Sequence, residues 1–159
     1  MAPGTVGAAR LVRQWAQLSQ SGDVVEVEAF NPASTGSDVY LASLDLEVRP
    51  RSIQGEFLSA HDGAQIAYWF EKNATGEQYD ADQLMQVFVR AYNGLIFTPG
   101  QLLVFDFHGQ NLKATVKSLH NLSLGGNSGG RIGMLTPESE VNFVKDPASA
   151  IKIKSSAKK

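Results

Sequence analysis

The sequence has no cysteine, no long apolar run and no strong excess of either charge. Without cysteine there can be no disulfide scaffold, thiolate zinc site or cysteine nucleophile. No apolar run approaches the roughly 20 residues that a membrane-spanning helix needs. Fourteen basic and sixteen acidic residues give a formal net charge of −2. This balance disfavours a globally basic nucleic-acid binder but allows a local basic surface.

Sequence motifs for nucleotide and metal chemistry are also missing. The glycine-rich residues 125–132 have P-loop-like spacing, but Arg131 and Ile132 stand where lysine and a magnesium-binding hydroxyl belong. No two of the three histidines (His61, His108 and His120) have the spacing of helical metal ligands. We therefore expect no cofactor and no metal in this chain.

What is present suits one small folded domain or two subdomains. The chain has 159 residues, of which 43% are hydrophobic and 19% charged. Such a composition argues against wholesale disorder, and the length matches about one typical domain. The fold class predicted from the patterns below is α+β.

The N-terminal third alternates loops with short periodic segments. Apolar residues around Trp15 recur at helical spacing and predict a short helix. Residues 24–30 and 39–48 alternate apolar and acidic residues and predict two half-buried strands. Their acids (Glu26, Glu28, Asp45 and Glu47) then face solvent, so we do not assign them acid–base catalysis. Pro50 ends the second strand, and we place a subdomain boundary there.

The second half predicts one main helix and several strands. Asp80 has the position of an N-cap with Gln83 three residues later, and Phe88 lies in the centre of an apolar helical stripe. Gly94 is suited to the helix end. Strands are predicted at 101–107, 112–119, 131–135, 140–144 and 150–154, with a hairpin connection at 108–111.

A serine hydrolase is an alternative interpretation. The loop at 126–130 is similar to the nucleophile loop of trypsin-like and HtrA-type proteases, with Ser128 central and His61 and Asp106 in the required chain order. Only 22 residues separate Asp106 from Ser128, which leaves no room for a second barrel that would build an oxyanion hole. We prefer an unreactive hairpin loop.

Four arginines stand out in the N-terminal third, where no lysine precedes Lys72: Arg10, Arg13, Arg49 and Arg51. If the two segments that carry them adjoin, they form one basic surface. Arginine suits contacts with carboxylate-rich partners because its planar guanidinium group bonds carboxylates bidentately. The alternative is four separately solvated side chains.

An ordered series of segments resembles the N-terminal domain of the N-ethylmaleimide-sensitive factor (NSF) family, the vesicle-fusing AAA ATPases. The N-terminal part of the resemblance lies in residues 3–7, 13–16 and 24–30. A stronger part lies in the acidic helix start at 80–84, the helix residues 88–90 and the turn and aromatic strand at 96–109. Residues 133–136 and 141–143 continue it. No single motif is diagnostic.

The resemblance implies a double-psi β-barrel followed by an α/β roll, with one main helix packed on an antiparallel sheet. On this basis residues 1–52 are the C-terminal part of the barrel, so the barrel is partial. Residues 53–79 are a linker or insertion, 80–154 the roll and 155–159 a basic tail. The chain is then a fragment, a partial gene model or a paralogue, and it has no Walker motif.

The resemblance also implies a function. Such domains recruit the SNAP adaptor bound to SNARE complexes, and ATPase modules absent from this chain use ATP and Mg²⁺, form the hexamer and separate the SNAREs. Arg13, Arg49 and Arg51 fall where the family has adaptor-contacting basic residues, and Arg10 is an extrapolation. We expect a cytoplasmic location peripheral to vesicle and Golgi membranes, without membrane insertion, nucleic-acid binding or ATP hydrolysis by this chain. An N-domain of another AAA protein, with different adaptors, is an alternative.

Overall fold

A computed structural model describes residues 3–32, 34, 39–50, 78–122, 131–149 and 151–154. The helices are α1 (Arg10–Ala16) and α2 (Ala81–Tyr92). The strands are β1 (Leu41–Pro50), β2 (Gln78–Asp80), β3 (Ile96–Phe97), β4 (Leu102–Phe107), β5 (Gln110–Asn121), β6 (Gly133–Met134), β7 (Glu140–Lys145) and β8 (Lys152–Lys154). The predicted α+β class is confirmed.

The main sheet has the strand order β4-β5-β1-β7. β5 is antiparallel to both β4 and β1, whereas β7 is parallel to β1. The predicted antiparallel sheet is therefore wrong at this edge. Parallel neighbours need a long crossover, and the chain between β1 and β7 supplies one that includes α2 and the β4–β5 hairpin.

β1 is an interior strand of this sheet and carries much of its core. Leu44, Leu46 and Val48 are fully buried, as the alternating pattern predicts. They lie opposite Leu119, Val116 and Ala114 of β5. Because β1 pairs with strands that follow it by more than 60 residues, one sheet spans the boundary predicted near Pro50. The division into barrel and roll stays a prediction.

A tight turn sets the register of the β4–β5 hairpin. His108 and Gly109 connect the strands and have φ angles of 51° and 83°. Two consecutive positive φ angles are typical of the type I′ turns that match strand twist, and glycine adopts them without steric cost. The Asp106 carboxylate accepts a hydrogen bond of 3.1 Å from the Gly109 N–H.

α2 packs on this sheet through an aromatic cluster. Asp80 caps the helix by accepting hydrogen bonds from the N–H groups of Asp82 and Gln83, at 2.8 and 3.3 Å. The predicted N-cap is thus confirmed. The Phe88 ring lies 5.5–5.9 Å from three other buried rings, those of Phe97, Phe105 and Phe143. Beyond the helix, Gly94 has a positive φ and its N–H donates to the Leu135 carbonyl.

The structure also describes two small sheets of two strands each, β2 with β8 and β3 with β6. β2, which leads into α2, is parallel to β8, and Tyr79 is in register with Ile153. β3 and β6 are antiparallel, with Phe97 opposite Gly133. β2 has no counterpart among the strands predicted from the sequence, since Gln78–Asp80 is too short to show a periodicity of its own.

Residues 3–32 differ from the rest. The short helix around Trp15 is confirmed as α1, but the strand predicted at 24–30 is wrong: these residues are exposed and have no regular secondary structure. Alternation favours a strand only where another strand accepts its hydrogen bonds. None of the strands that the structure describes pairs with this segment.

Several predictions fall outside the described residues. They are Arg51, most of the linker (53–77), His61, the glycine-rich loop with Ser128 (123–130) and the basic tail (155–159). The double-psi barrel also stays a prediction. In the part of the chain that is described, neither helix has the length and apolar character needed to cross a membrane.

Candidate functional site

The first part of the predicted basic surface is carried by α1. Arg10 begins this helix and Arg13 lies one turn later. The helix packs against β4, and Leu11 and Trp15 on it are half-buried. α1 therefore brings Arg10 and Arg13 to the β4 edge of the main sheet.

The Arg13 side chain is held by its own helix. Its Nη1 donates a hydrogen bond of 2.6 Å to the Ala8 carbonyl, just before the helix begins. This bond uses one of the five guanidinium donors and restricts the side chain. The remaining donors can still form a bidentate contact with a carboxylate.

Arg49 lies on β1, at the end of the strand. It is in register with Lys113 of β5, which is in register with Val104 of β4. Its Nη1 lies 3.9 Å from an Asp146 carboxylate oxygen, and half of its side chain is exposed. This long, partly solvated ion pair is weak, so Arg49 can also contact a partner.

We group three of the predicted positions under the name arginine surface: Arg10 and Arg13 on α1, and Arg49 on β1. Neighbouring strands are about 4.8 Å apart, so the Cα atoms of Arg49 and Val104 are separated by about 10 Å, two strand spacings. α1 contacts the strand that contains Val104. Arg51, the fourth predicted residue, lies outside the described part.

Lys113 was not predicted as part of this region. It lies between Arg49 and Val104 in the sheet, and only 8% of it is exposed. Because it is buried, Lys113 is not available as a contact residue. The sequence could have predicted the position of Lys113 from the hairpin turn, because a two-residue connection at 108–109 fixes which β5 residue lies opposite Val104.

The acids of the sheet already have partners within the sheet. The Asp45 carboxylate accepts hydrogen bonds from the Ser118 hydroxyl and the Asn142 amide, and Glu47 lies 3.3 Å from the Lys117 ammonium. Asp45 and Glu47, predicted to face solvent, thus have partners on neighbouring strands.

Polar contacts at the β4 edge have structural roles. The Tyr92 hydroxyl donates to the Val104 carbonyl over 2.9 Å, and burial raises the pKa of Tyr92. Asp106 is exposed and bonds its own turn, which is not the position of a carboxylate that orients a buried histidine. Across the described ranges, no three acids or histidines are grouped so that they could hold a metal ion.

Comparison with known proteins identifies the family. The family model "Cell division protein 48 (CDC48), domain 2" matches residues 78–120. The vesicular-fusion protein sec18 of Schizosaccharomyces pombe is 30% identical over 96% of this chain. The SEC18 protein of Saccharomyces cerevisiae is 26% identical over 97%, and the vesicle-fusing ATPase of Arabidopsis thaliana is 27% identical over 94%. The chain belongs to the NSF/Sec18 family.

Its resemblance to the N-terminal domain of NSF is thus confirmed. The chain spans 18%, 19% and 17% of the lengths of these three relatives. The family-model match begins at β2 and ends within β5, so it includes α2, the β4–β5 hairpin and Lys113. The four predicted arginines of this NSF-family chain lie outside that match.

Proposed function

We propose that this NSF-family chain is an adaptor-docking domain. Its arginine surface, together with Arg51, binds an acidic face of the SNAP adaptor on SNARE complexes, so that ATPase modules can disassemble them in vesicle transport. Those modules bind ATP and Mg²⁺ and assemble the hexamer, and this chain hydrolyses no ATP itself. It acts in the cytoplasm, peripheral to vesicle and Golgi membranes.

The observation that carries the proposal is the packing of α1 against β4, with Arg49 two strands away on the same sheet. This packing supports the proposal that segments more than 30 residues apart in sequence supply cations to one region. Membership of the NSF/Sec18 family supports vesicle transport as the process in which this region acts.

Binding by such a surface is weak for each contact. An exposed ion pair contributes about 0.2–1 kcal/mol, and exposed interface charges act mainly through association rate and salt dependence. Several copies held in one ring would raise the overall affinity through effective concentration. We therefore expect fast, salt-sensitive binding of an isolated domain.

Charge reversal tests the proposal. In biolayer interferometry with immobilised SNAP, the double variant Arg13→Glu/Arg49→Glu should bind about tenfold more weakly, because two attractive contacts become repulsive. The loss should shrink at high salt. Circular dichroism would establish that the variant is folded.

Arg131→Glu is the matched control. Arg131 is exposed and precedes β6, where Met134 contacts Tyr40 just before β1 begins. Arg49 lies near the other end of β1, about 30 Å along the strand from Tyr40 at 3.3 Å per residue. If Arg131→Glu weakened binding as much as the double variant, the effect would come from net charge and not from the arginine surface.

A second candidate is an N-domain that recruits different adaptors. The observation that favours it is the match of residues 78–120 to domain 2 of CDC48. Parallel binding assays with SNAP and with ubiquitin-type adaptors separate the candidates. Preference for the ubiquitin-type adaptor would replace the SNAP proposal.

A further inference from the structure

Asp146 lies beside Arg49, at the point where β7 ends. Its backbone N–H donates a hydrogen bond of 2.9 Å to the Val48 carbonyl, which extends the parallel contact between β1 and β7 by one residue. Arg49 is therefore flanked by Lys113, opposite it on β5, and by Asp146 on the other side. An acid in this position competes with an acidic partner for Arg49.

The Asp146 side chain is held by the turn that follows β7. Its Oδ1 accepts a hydrogen bond of 2.9 Å from the Ala148 N–H, and its backbone carbonyl accepts one of 2.8 Å from the Ser149 N–H. An aspartate that bonds the backbone two residues later forms an Asx turn, which restricts its side chain. Only 19% of the side chain is exposed. The internal carboxylate therefore has a defined position next to Arg49.

The contact between Asp146 and Arg49 is an electrostatic attraction without a hydrogen bond. Oδ2 of Asp146 lies 3.9 Å from Nη1 of Arg49, which is too long for an N–H···O bond. The Arg49 side chain is half exposed, so a carboxylate of another protein can also approach it. In the guanidinium plane that carboxylate can accept two hydrogen bonds, which adds energy and geometric specificity. A bidentate partner can thus replace the longer internal contact.

We propose that Asp146 is an internal competitor for Arg49 that lowers the affinity of the arginine surface for its adaptor. The inference rests on the proposed function and names a residue that regulates it. In the unbound chain the Asp146 carboxylate partly neutralises Arg49. A carboxylate of the adaptor takes its place, and the internal attraction that is lost reduces the net gain from binding.

Asp146→Asn tests the competition while keeping the turn. Asparagine retains an oxygen that can accept from the Ala148 N–H, and a neutral amide replaces the charge that faces Arg49. In biolayer interferometry with immobilised SNAP, this variant should bind about two- to fivefold more tightly, the range expected for one exposed ion pair. The gain should shrink at high salt. Asp146→Ser, whose hydroxyl can also bond the turn, is a second uncharged variant if the first fails to fold.

Two controls separate competition from a general change in charge. Glu140→Gln also removes one negative charge, from an exposed residue at the start of β7, about 20 Å along the strand from Asp146. It should change the affinity less than Asp146→Asn does. In an Arg49→Gln background, Asp146→Asn should no longer tighten binding, because the cationic group for which it competes is absent.

The outcomes distinguish this inference from the proposed function. If Arg13→Glu/Arg49→Glu weakens binding but Asp146→Asn does not tighten it, the competition is wrong and the docking surface stands. A gain that persists in the Arg49→Gln background, or that Glu140→Gln reproduces, would also overturn the competition. If the double arginine variant binds SNAP as the unaltered chain does, the docking proposal fails, and this inference fails with it.

Discussion

Two regions of this molecule respond differently to similar sequence patterns. α2 and α1 both have apolar residues at helical spacing, but α2 buries Leu84 and Phe88 whereas α1 buries no residue completely. Residues 39–48 and 24–30 both alternate, yet the first lie largely in an interior strand and the second are exposed. A pattern specifies which face can be buried. The neighbouring strand or helix decides whether it is buried.

The prediction with the largest expected effect compares the same substitution, phenylalanine to alanine, in both regions. Phe88→Ala should lower the free energy of unfolding by about 3–5 kcal/mol, because it opens a cavity among three other rings. Phe30→Ala, at a side chain that is 50% exposed, should cost less than about 1 kcal/mol. Urea unfolding of dilute protein measures both. Equal losses would mean that residues 3–32 belong to the same cooperative core.

Gly133→Ala tests how closely the small β3–β6 sheet is packed against the main sheet. A Cβ at this position would overlap the side chain of Leu41, which is fully buried at the start of β1. We expect a loss of about 1–3 kcal/mol, which is the usual cost of overpacking a core.

A double-mutant cycle separates this overlap from a backbone effect. If the overlap is the cause, the loss caused by Gly133→Ala should shrink when Leu41 is replaced by alanine, since the second substitution removes the atoms that the new methyl group meets. An unchanged loss would point to the backbone of β6 instead.

The sequence predicts local structure better than it predicts neighbours. The Asp80 cap, the Gly94 helix end and the β4–β5 hairpin depend on residues close in the chain, and all three were predicted, although the hairpin connection is the two residues 108–109 and not 108–111. The parallel β1–β7 pair and the position of Lys113 between Arg49 and Val104 depend on strand order. Periodicity carries no information about strand order, so these features required the fold.

The same limit applies to the candidate site. The sequence could identify four unusual arginines but not whether their segments adjoin. The contact of α1 with β4 places the helix that carries Arg10 and Arg13 at that strand, and the sheet register places Arg49 two strands from it; one shared basic surface stays a proposal.

The next prediction, with a smaller expected effect on stability than Gly133→Ala, compares the N-termini of the two helices. Asp80→Ala should cost about 1 kcal/mol because it removes the side-chain acceptor of two α2 N–H groups. α1 begins after Ala9, whose side chain makes no cap. Ala9→Asp should therefore raise helicity in circular dichroism while changing the free energy of unfolding less than Asp80→Ala does.

Asp80→Asn is the matched control for that pair, since asparagine caps about as well as aspartate. It should retain most of the stability that Asp80→Ala loses. If Ala9→Asp stabilised the whole protein as much as the Asp80 cap does, α1 would unfold together with α2 and the two regions would form one cooperative unit.

The prediction with the smallest expected effect on stability concerns the acid titration of Asp23. A hydrogen bond from the Ser19 backbone N–H, and a second from its side chain, lower the pKa of this fully exposed carboxyl group below its ordinary value. Because the pKa is lowered, these hydrogen bonds stabilise the turn at pH values above the ordinary pKa of an aspartate. This stabilisation is lost as the pH falls through the lowered pKa. Ser19→Ala should raise the Asp23 pKa part of the way back in an NMR titration.

Because the turn lies outside the buried core, the urea midpoint of Asp23→Asn should match that of the unaltered protein at neutral pH. A clear decrease would contradict the separation of residues 3–32 from the sheet.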